Sequence, residues 1–343
     1  MKTFQVNGHL GLSSIYVGES LSNVGSYLPD TEPVIITDTN IKAIYGDRFP
    51  KGPVITIGTG EKIKTLDTVE FILREMIHLG CDRSSFVLGI GGGIVCDIAG
   101  FAASIYLRGI GFGFVSTSLL SQVDASVGGK NGVNQDSFKN MVGVFNQPEF
   151  VICDQGLLPT LPKGEISNGL AEIVKHGLIS DPDLLCFLEQ NRQQALDLDP
   201  EVISRLVADS VSIKPAIGQK DEKEGGERRN LNFGHTIGHG IEKIGQQGHG
   251  RAVSLGIIAA ALFSAHRGYL DKTQVERIVD LLQGLGLPTS LDHDPEQIIQ
   301  AAARDKKKQG QHLFFVFLET LGRARVEKIG YDRLNDFIRS AFK

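Results

Sequence analysis

An α/β fold in two parts is what this sequence predicts: a parallel-sheet domain over residues 1–158 and a mainly α-helical domain over 159–343. Three observations predict it. Short Val- and Ile-rich runs alternate with helically spaced apolar residues in the first part. One of those runs opens into a cluster of glycines followed by an apolar helix. After LLPTLPKGE (Leu157 to Glu165), with its two prolines and a glycine, the pattern becomes helical almost to the end. Alternation of strand and helix is the mark of a parallel sheet covered on both faces.

Taken in order, SIYVG (Ser14 to Gly18), PVIITD (Pro33 to Asp38), PVITIG (Pro53 to Gly58) and SFVLGIGGG (Ser85 to Gly93) read as buried strands ending in Gly or Asp. Ile63, Leu66, Val69, Ile72, Leu73, Met76 and Ile77 have helical spacing, so a helix is expected over 63–79. Phe112 to Ser116 and Phe150 to Asp154 complete the strands. Ligands of such a sheet lie at the carboxyl ends of its strands. In the second part, helices are expected over 165–178, 183–192, 200–219, 235–244, 253–267, 272–285 and 295–303, with an isolated strand at His312 to Glu319 and a closing helix at Tyr331 to Phe342. The charge run Arg304 to Lys308 reads as a solvated turn. There is no internal repeat.

Composition narrows the function. Hydrophobic residues at 41% and charged residues at 22% are ordinary for a globular protein. A net charge of −5 gives no basis for nucleic-acid binding. The four cysteines (Cys81, Cys96, Cys153, Cys186) are far apart and form no CxxC, which argues against a cysteine zinc site or a disulfide framework and fits a cytoplasmic protein. No apolar signal core opens the chain, and no run of about 18 apolar residues suggests a membrane span.

Chemistry concentrates in three places. GIGGGIVCDIAGFAA (Gly89 to Ala103) runs from strand through three glycines into a helix, a turn whose backbone can approach a pyrophosphate at a helix N-terminus, although its spacing is not GxGxxG. Next, TSLLSQVDASVGGKNGVN and SFKNMVG place Asp124, Lys130, Lys139 and Asn140 beside glycines, which suits an anionic ligand. Finally, LNFGHTIGHGIEKIGQQGHG (Leu231 to Gly250) carries His235, His239 and His249, with Glu172 available from GLAEIVKHGL. His235 and His239 share a helix face, and spacing alone nominates them as a pair of metal ligands. The same spacing suits two core or capping histidines. His249 is expected in a Gly-flanked loop. Gly234, Gly238 and Gly240 would each cost helix stability, about 1 kcal/mol relative to Ala, so close approach of a ligand or neighbouring backbone is expected there. Upstream, Lys214, Glu224, Arg228 and Asn232 offer contacts for an acidic, hydroxylated ligand.

Together these segments resemble the 3-dehydroquinate synthase family, within the sugar-phosphate cyclases. The matching stretches are GEKIKTL, GGGIVCDIAGFAA, YLRG, STSLLSQVDASVGGK, FKNMVG, GLAEIVKHG, DEKEGGERRNLNFGHTIGHGIE, the HG at His249 and RDKK at Arg304, in order over nearly the whole chain. The resemblance implies a Rossmann-like NAD domain followed by a helical metal and substrate domain, and a homodimer. It implies conversion of 3-deoxy-D-arabino-heptulosonate 7-phosphate to 3-dehydroquinate and phosphate by transient oxidation with NAD, phosphate elimination, reduction and aldol closure, with zinc or cobalt bound.

By the same resemblance, Glu172, His235 and His249 are the metal ligands, and His239 becomes a substrate and acid–base contact. Asp124, Lys130, Lys175, Lys214, Arg228, Asn232 and Glu224 carry over to the substrate site. Lys139 and Asn140 carry over to substrate or nucleotide contacts. Arg108 resembles an arginine that reaches the neighbouring subunit's phosphate site, and one of Lys306 and Lys307 meets phosphate. The NAD positions are Asp38, Asn40, Glu61, Lys64, Gly92, Gly93, Asp97, Thr117, Ser118, Leu120, Lys130, Lys139, Leu157, Thr160, Leu161 and Glu165. Three residues depart from the family pattern: Arg251 where HGE is usual, Glu227 where Leu is common, and Asn131 where Thr is common. The competing readings are another sugar-phosphate cyclase, a metal-dependent polyol or glycerol-phosphate dehydrogenase, and a non-catalytic binding protein on the same fold. Against the last, an idle pocket has no need to gather so many charges.

Overall fold

The structure, a computed structural model, describes residues 1–8, 11–136, 138–218, 226–245, 248–303 and 312–342. The chain divides into two compact units, Met1–Leu161 and Pro162–Lys343.

The first unit is a seven-stranded sheet. Its strands are β1 (Lys2–Gly8), β2 (Gly11–Val17), β3 (Val34–Asp38), β4 (Val54–Ile57), β5 (Phe86–Gly91), β6 (Gly111–Ser116) and, after the β7–β8 hairpin (Lys130–Gln135, Phe138–Phe145), β9 (Phe150–Cys153). The order is β1-β2-β9-β6-β5-β3-β4, with β1 antiparallel to β2 at one edge and every other pairing parallel. Helices α1 (Thr39–Tyr45), α2 (Leu66–His78) and α3 (Gly93–Ile105) make the crossovers. Every residue of β5 is buried, as a central parallel strand requires. Leu88, Ile90, Ile35, Val115 and Ile152 meet in one apolar cluster. β4 lies outside β3 while β5, β6 and β9 extend the other way, so the direction of winding reverses between β3 and β5. Ligands of open α/β sheets bind beyond the strand ends at such a reversal.

The second unit contains α4 (Lys163–Ser180), α5 (Pro182–Gln190), α6 (Arg192–Leu196), α7 (Pro200–Gly218), α8 (His235–Gly245), α9 (His249–His266), α10 (Lys272–Gly284), α11 (Pro295–Ala303) and α12 (Tyr331–Ala341), with a two-stranded ribbon of β10 (His312–Thr320) and β11 (Arg323–Gly330). Buried α9 is central, touching α4, α8, α10 and β10. Its Phe263 stacks on Phe337 at 4.2 Å between ring centroids and meets Phe315 and Phe317 edge-on. α8 and α9 cross at glycines. A Cβ on Gly256 would run into the Gly234 carbonyl, and Gly234 itself has φ +77° with the Ile257 backbone N 2.9 Å from where a Cβ would sit. The glycines thus permit close approach of neighbouring backbone. None of the described helices is long and apolar enough to cross a membrane.

Several expectations need correction. His249 is not in a loop: α9 begins at His249 instead of 253, because the Gly248 carbonyl already accepts from the Arg251 and Ala252 N–H groups. The strand at 312–319 is not isolated, since β11 pairs with it residue for residue apart from a bulge at Leu318/Thr320. α2 starts at Leu66, where the Thr65 hydroxyl caps it, and residues 61–63 form a separate 3-10 turn. β1, the β7–β8 hairpin and the short α1 carry no recognisable apolar period. The charge run at 304–308 lies outside the described residues.

Candidate active site

In the second unit, α4 brings Glu172 and Lys175 to one buried face, while α8 supplies His235 and His239 and the first turn of α9 supplies His249. Glu172 is fully buried and Lys175 nearly so, with the ammonium against carboxylate Oε2. Glu172 Oε1 lies 3.5 Å from His235 Nε2 and 3.4 Å from His249 Nε2. Oε2 is thus matched by the ammonium, while Oε1 faces the two imidazole nitrogens. The three residues offer one ligand atom each, all within 4.8 Å of one another. Ligand atoms about 2.1 Å from a tetrahedral ion sit roughly 3.4 Å apart, so the two measured edges suit one zinc-sized cation. A buried carboxylate whose Oε1 faces two imidazole nitrogens fits that ion chemically.

Electrostatics divides the two histidines that face Glu172. Burial alone would raise the Glu172 carboxyl, but Lys175 and the imidazoles outweigh it and hold it well below the usual carboxylate range. Burial, with the Lys175 charge adding to it, pushes His235 down to about 3. Burial works against protonation of His249 too, yet the carboxylates of Glu172 and Glu242 raise it to about 10. His239 is exposed and lies outside the metal-capable group, although its ring centroid is 5.3 Å from that of His235. The geometry therefore separates the i, i+4 pair that spacing alone would join.

Around this cluster, the 3-10 turn Glu227–Asn232 carries buried Arg228 and half-buried Asn232, and it packs on α4 and α7. Half-buried Lys214 lies on α7. Arg229 stacks over the Phe314 ring at 3.7 Å, tying that turn to β10. Arg251 is exposed; two residues beyond His249 on a helix, it lies on the opposite side from the cluster. Glu165 lies in the first turn of α4. Glu224, Lys306 and Lys307 lie outside the described residues.

Glu242 was not among the sequence candidates. It is buried on α8, with Oε1 3.6 Å from His249 Nδ1. The signal was present: positions 235, 239 and 242 repeat at i, i+4 and i+7 along one helix face.

In the first unit, Lys64 bonds both Asp97 of α3 and, at 2.5 Å, Asn140 Oδ1 of β8. Glu61 accepts from Asn134 Nδ2 at 2.7 Å and stands 3.7 Å from Lys139 Nζ. Five sequence candidates, Glu61, Lys64, Asp97, Lys139 and Asn140, are thereby brought together. Asp38 ends β3 and caps α1, accepting from the Asn40 and Ile41 N–H groups at 2.8 and 2.9 Å. Gly92 precedes the first turn of α3 and Gly93 opens it, so Asp38 and the glycines stand at the ends of β3 and β5, on either side of the winding reversal. Thr117 and Ser118 follow β6, and Leu120 is half-buried behind them. Asp124 is half-buried in the π-turn Ser121–Ala125. Lys130 opens β7, exposed. The Leu157 side chain belongs to the apolar core, while its carbonyl and the Thr160 hydroxyl both meet the Tyr45 hydroxyl. Leu157 and Thr160 lie in the 3-10 turn Gln155–Thr160, which Leu161 closes. Asn131 is buried and its Nδ2 donates to the Asn146 carbonyl at 2.7 Å, so this departure is satisfied locally. Arg108 is exposed at φ 73°, next to Leu107 at φ 48°.

Comparison with known proteins identifies the family. Residues 54–168 match the family model "3-dehydroquinate synthase N-terminal" and residues 169–308 match "3-dehydroquinate synthase C-terminal". The 3-dehydroquinate synthase of Halorhodospira halophila is 40% identical over 323 residues, 91% of each chain. Among solved structures, 2-deoxy-scyllo-inosose synthase complexed with carbaglucose-6-phosphate, NAD+ and Co2+ superposes with a TM-score of 0.88 at 28% identity, covering 99% of this chain and all of that one. A 2-epi-5-epi-valiolone synthase from Streptomyces hygroscopicus with NAD+ and Zn2+ bound gives 0.88 at 25% identity, covering 98% and 96%. With both halves matched by the family models and a relative this close over most of its length, the chain belongs to the 3-dehydroquinate synthase family.

Proposed function

We propose that this enzyme converts 3-deoxy-D-arabino-heptulosonate 7-phosphate to 3-dehydroquinate and phosphate, using NAD and one divalent metal. The observation that carries this reading is the convergence of Glu172, His235 and His249 in a chain of this family. When bound, NAD exchanges hydride with the substrate and the metal polarises its hydroxyls.

The chain's own residues do the rest. Glu172, His235 and His249 would hold the metal. Lys175, Lys214 and Arg228 offset the substrate's negative charge, and Asn232 reads a hydroxyl. Exposed His239 is placed to exchange a proton with substrate. Asp124, Lys130 and Asn140 complete the substrate contacts, together with Glu224 and one of Lys306 and Lys307. Asp38, Asn40, Glu61, Lys64, Gly92, Gly93, Asp97, Thr117, Ser118, Leu120, Lys139, Thr160, Leu161 and Glu165 serve NAD, with Leu157 supporting that turn from the core. The N-terminal unit is thus the cofactor domain and the C-terminal unit the metal and substrate domain. The working form is a cytoplasmic homodimer, with exposed Arg108 reaching the partner's phosphate site.

The test is phosphate release by purified protein given NAD+, Zn2+ or Co2+, and the heptulosonate phosphate. Release is expected without net NADH. Release only from sedoheptulose 7-phosphate would assign the chain to another cyclase activity. NADH accumulating with every turnover would assign it to a dehydrogenase.

A further inference from the structure

We propose that Glu242 is a positioning residue for His249: its carboxylate faces Nδ1 and so reserves Nε2 for the metal. This rests on the metal-site reading above.

The two ligand histidines present the same arrangement. His235 Nδ1 lies 3.1 Å from the Phe233 carbonyl, which can only accept, so Nδ1 carries the hydrogen and Nε2 keeps the lone pair. That Nε2 is the atom facing Glu172 Oε1, at 3.5 Å. His249 Nε2 faces the same oxygen at 3.4 Å, and its Nδ1 faces Glu242 Oε1 at 3.6 Å. A carboxylate, like a carbonyl, can only accept, so it selects the same tautomer. A metal-bound imidazole gains basicity and a fixed plane from such a partner.

His249 needs this more than His235 does. Its side chain is 29% exposed against 11%, and it opens its helix, so fewer neighbours fix the ring. Glu242 is placed to supply the constraint: it is buried on α8, its side chain 5% exposed. His235 and Glu242 are seven residues apart, two turns of that helix, so one rigid element holds a ligand and the orienter of another.

The experiment measures Zn2+ affinity by chelator competition, and the visible spectrum of the Co2+-loaded protein, for wild type, Glu242→Ala, Glu242→Gln and Glu172→Ala. Glu242→Ala should bind Zn2+ about 10–100-fold more weakly and shift the Co2+ bands. Glu242→Gln keeps an acceptor without the charge, so it should lose less, about three- to tenfold. Metal-free thermal unfolding checks that each variant folds, and Glu242→Gln decides the matter if Glu242→Ala does not fold. Wild-type affinity with unchanged Co2+ bands in either folded Glu242 variant overturns the proposal. If Glu172→Ala also retains the metal, the metal-site reading falls and takes this inference with it. If Glu172→Ala loses the metal while the Glu242 variants keep it, only the role of Glu242 is lost.

Discussion

The Lys64–Asp97 pair of the first unit and the Glu172–Lys175 pair of the second are both opposite charges withdrawn from water, but their surroundings are completed differently. Lys64 already has a carboxylate and an amide oxygen from two neighbouring elements. Its charge is matched within the protein, between α3 and the β7–β8 hairpin. Glu172 is more deeply buried, has Lys175 on one side, and turns its other oxygen toward two imidazole nitrogens. The first arrangement is a finished surface on which a ligand can lie. The second leaves donor atoms converging on one point, an arrangement that suits a cation.

Replacing residues in the two clusters should therefore have unequal effects. The largest loss is expected from Glu172→Ala or His235→Ala. Metal affinity should fall by more than the roughly 10–100-fold typical of a residue behind a ligand, and turnover should go with it. Metal analysis together with phosphate release measures both, and full metal content with unchanged turnover would erase the contrast.

His239→Ala should keep its metal while turnover falls about 100-fold, as for loss of an acid–base group. Metal loss in that variant would return His239 to the ligand set. Lys64→Ala should weaken NAD binding by about tenfold, the scale of a lost hydrogen bond to a charged group, and leave Zn2+ affinity unchanged. A change in both affinities would show that the clusters are coupled.

A further effect concerns protons. With His235 held down to about 3 and His249 raised to about 10, the metal-free site carries one imidazole proton at neutral pH, on His249. The metal must displace it. Zn2+ affinity should therefore rise about tenfold per pH unit between roughly pH 7 and 9, where two ordinary imidazoles would already be neutral. Calorimetry in buffers of different ionisation enthalpy counts the released proton, and a count of zero at pH 8 would contradict the assignment.

Much of the first unit was legible because its strands are continuous apolar runs. β5 needs no partner to declare itself. β1 and β7–β8 do: LysAsnGlyValAsnGln becomes a strand because β8 pairs with it and α3 covers it, with Gly132 opposite Gly143 so that the two backbones meet closely. β11 escaped notice because its alternating charges face outward and pair along the ribbon, as Arg325 does with Glu319 and Glu327. In the site, histidine spacing placed His235 and His239 on one helix but could not choose between them.

By itself the sequence determined the elements with strong local periods, the glycine-rich turn into α3, and which residue types were available for the chemistry. Resemblance to a family supplied the ligand set that spacing left open. Only the tertiary structure decided which nitrogens face Glu172 and that Glu242 stands behind His249. Periodicity fixes direction around one helix axis, whereas convergence of side chains from α4, α8 and α9 depends on where those axes cross. That crossing is set by backbone contact at glycines distant in the chain, such as Gly234 and Gly256.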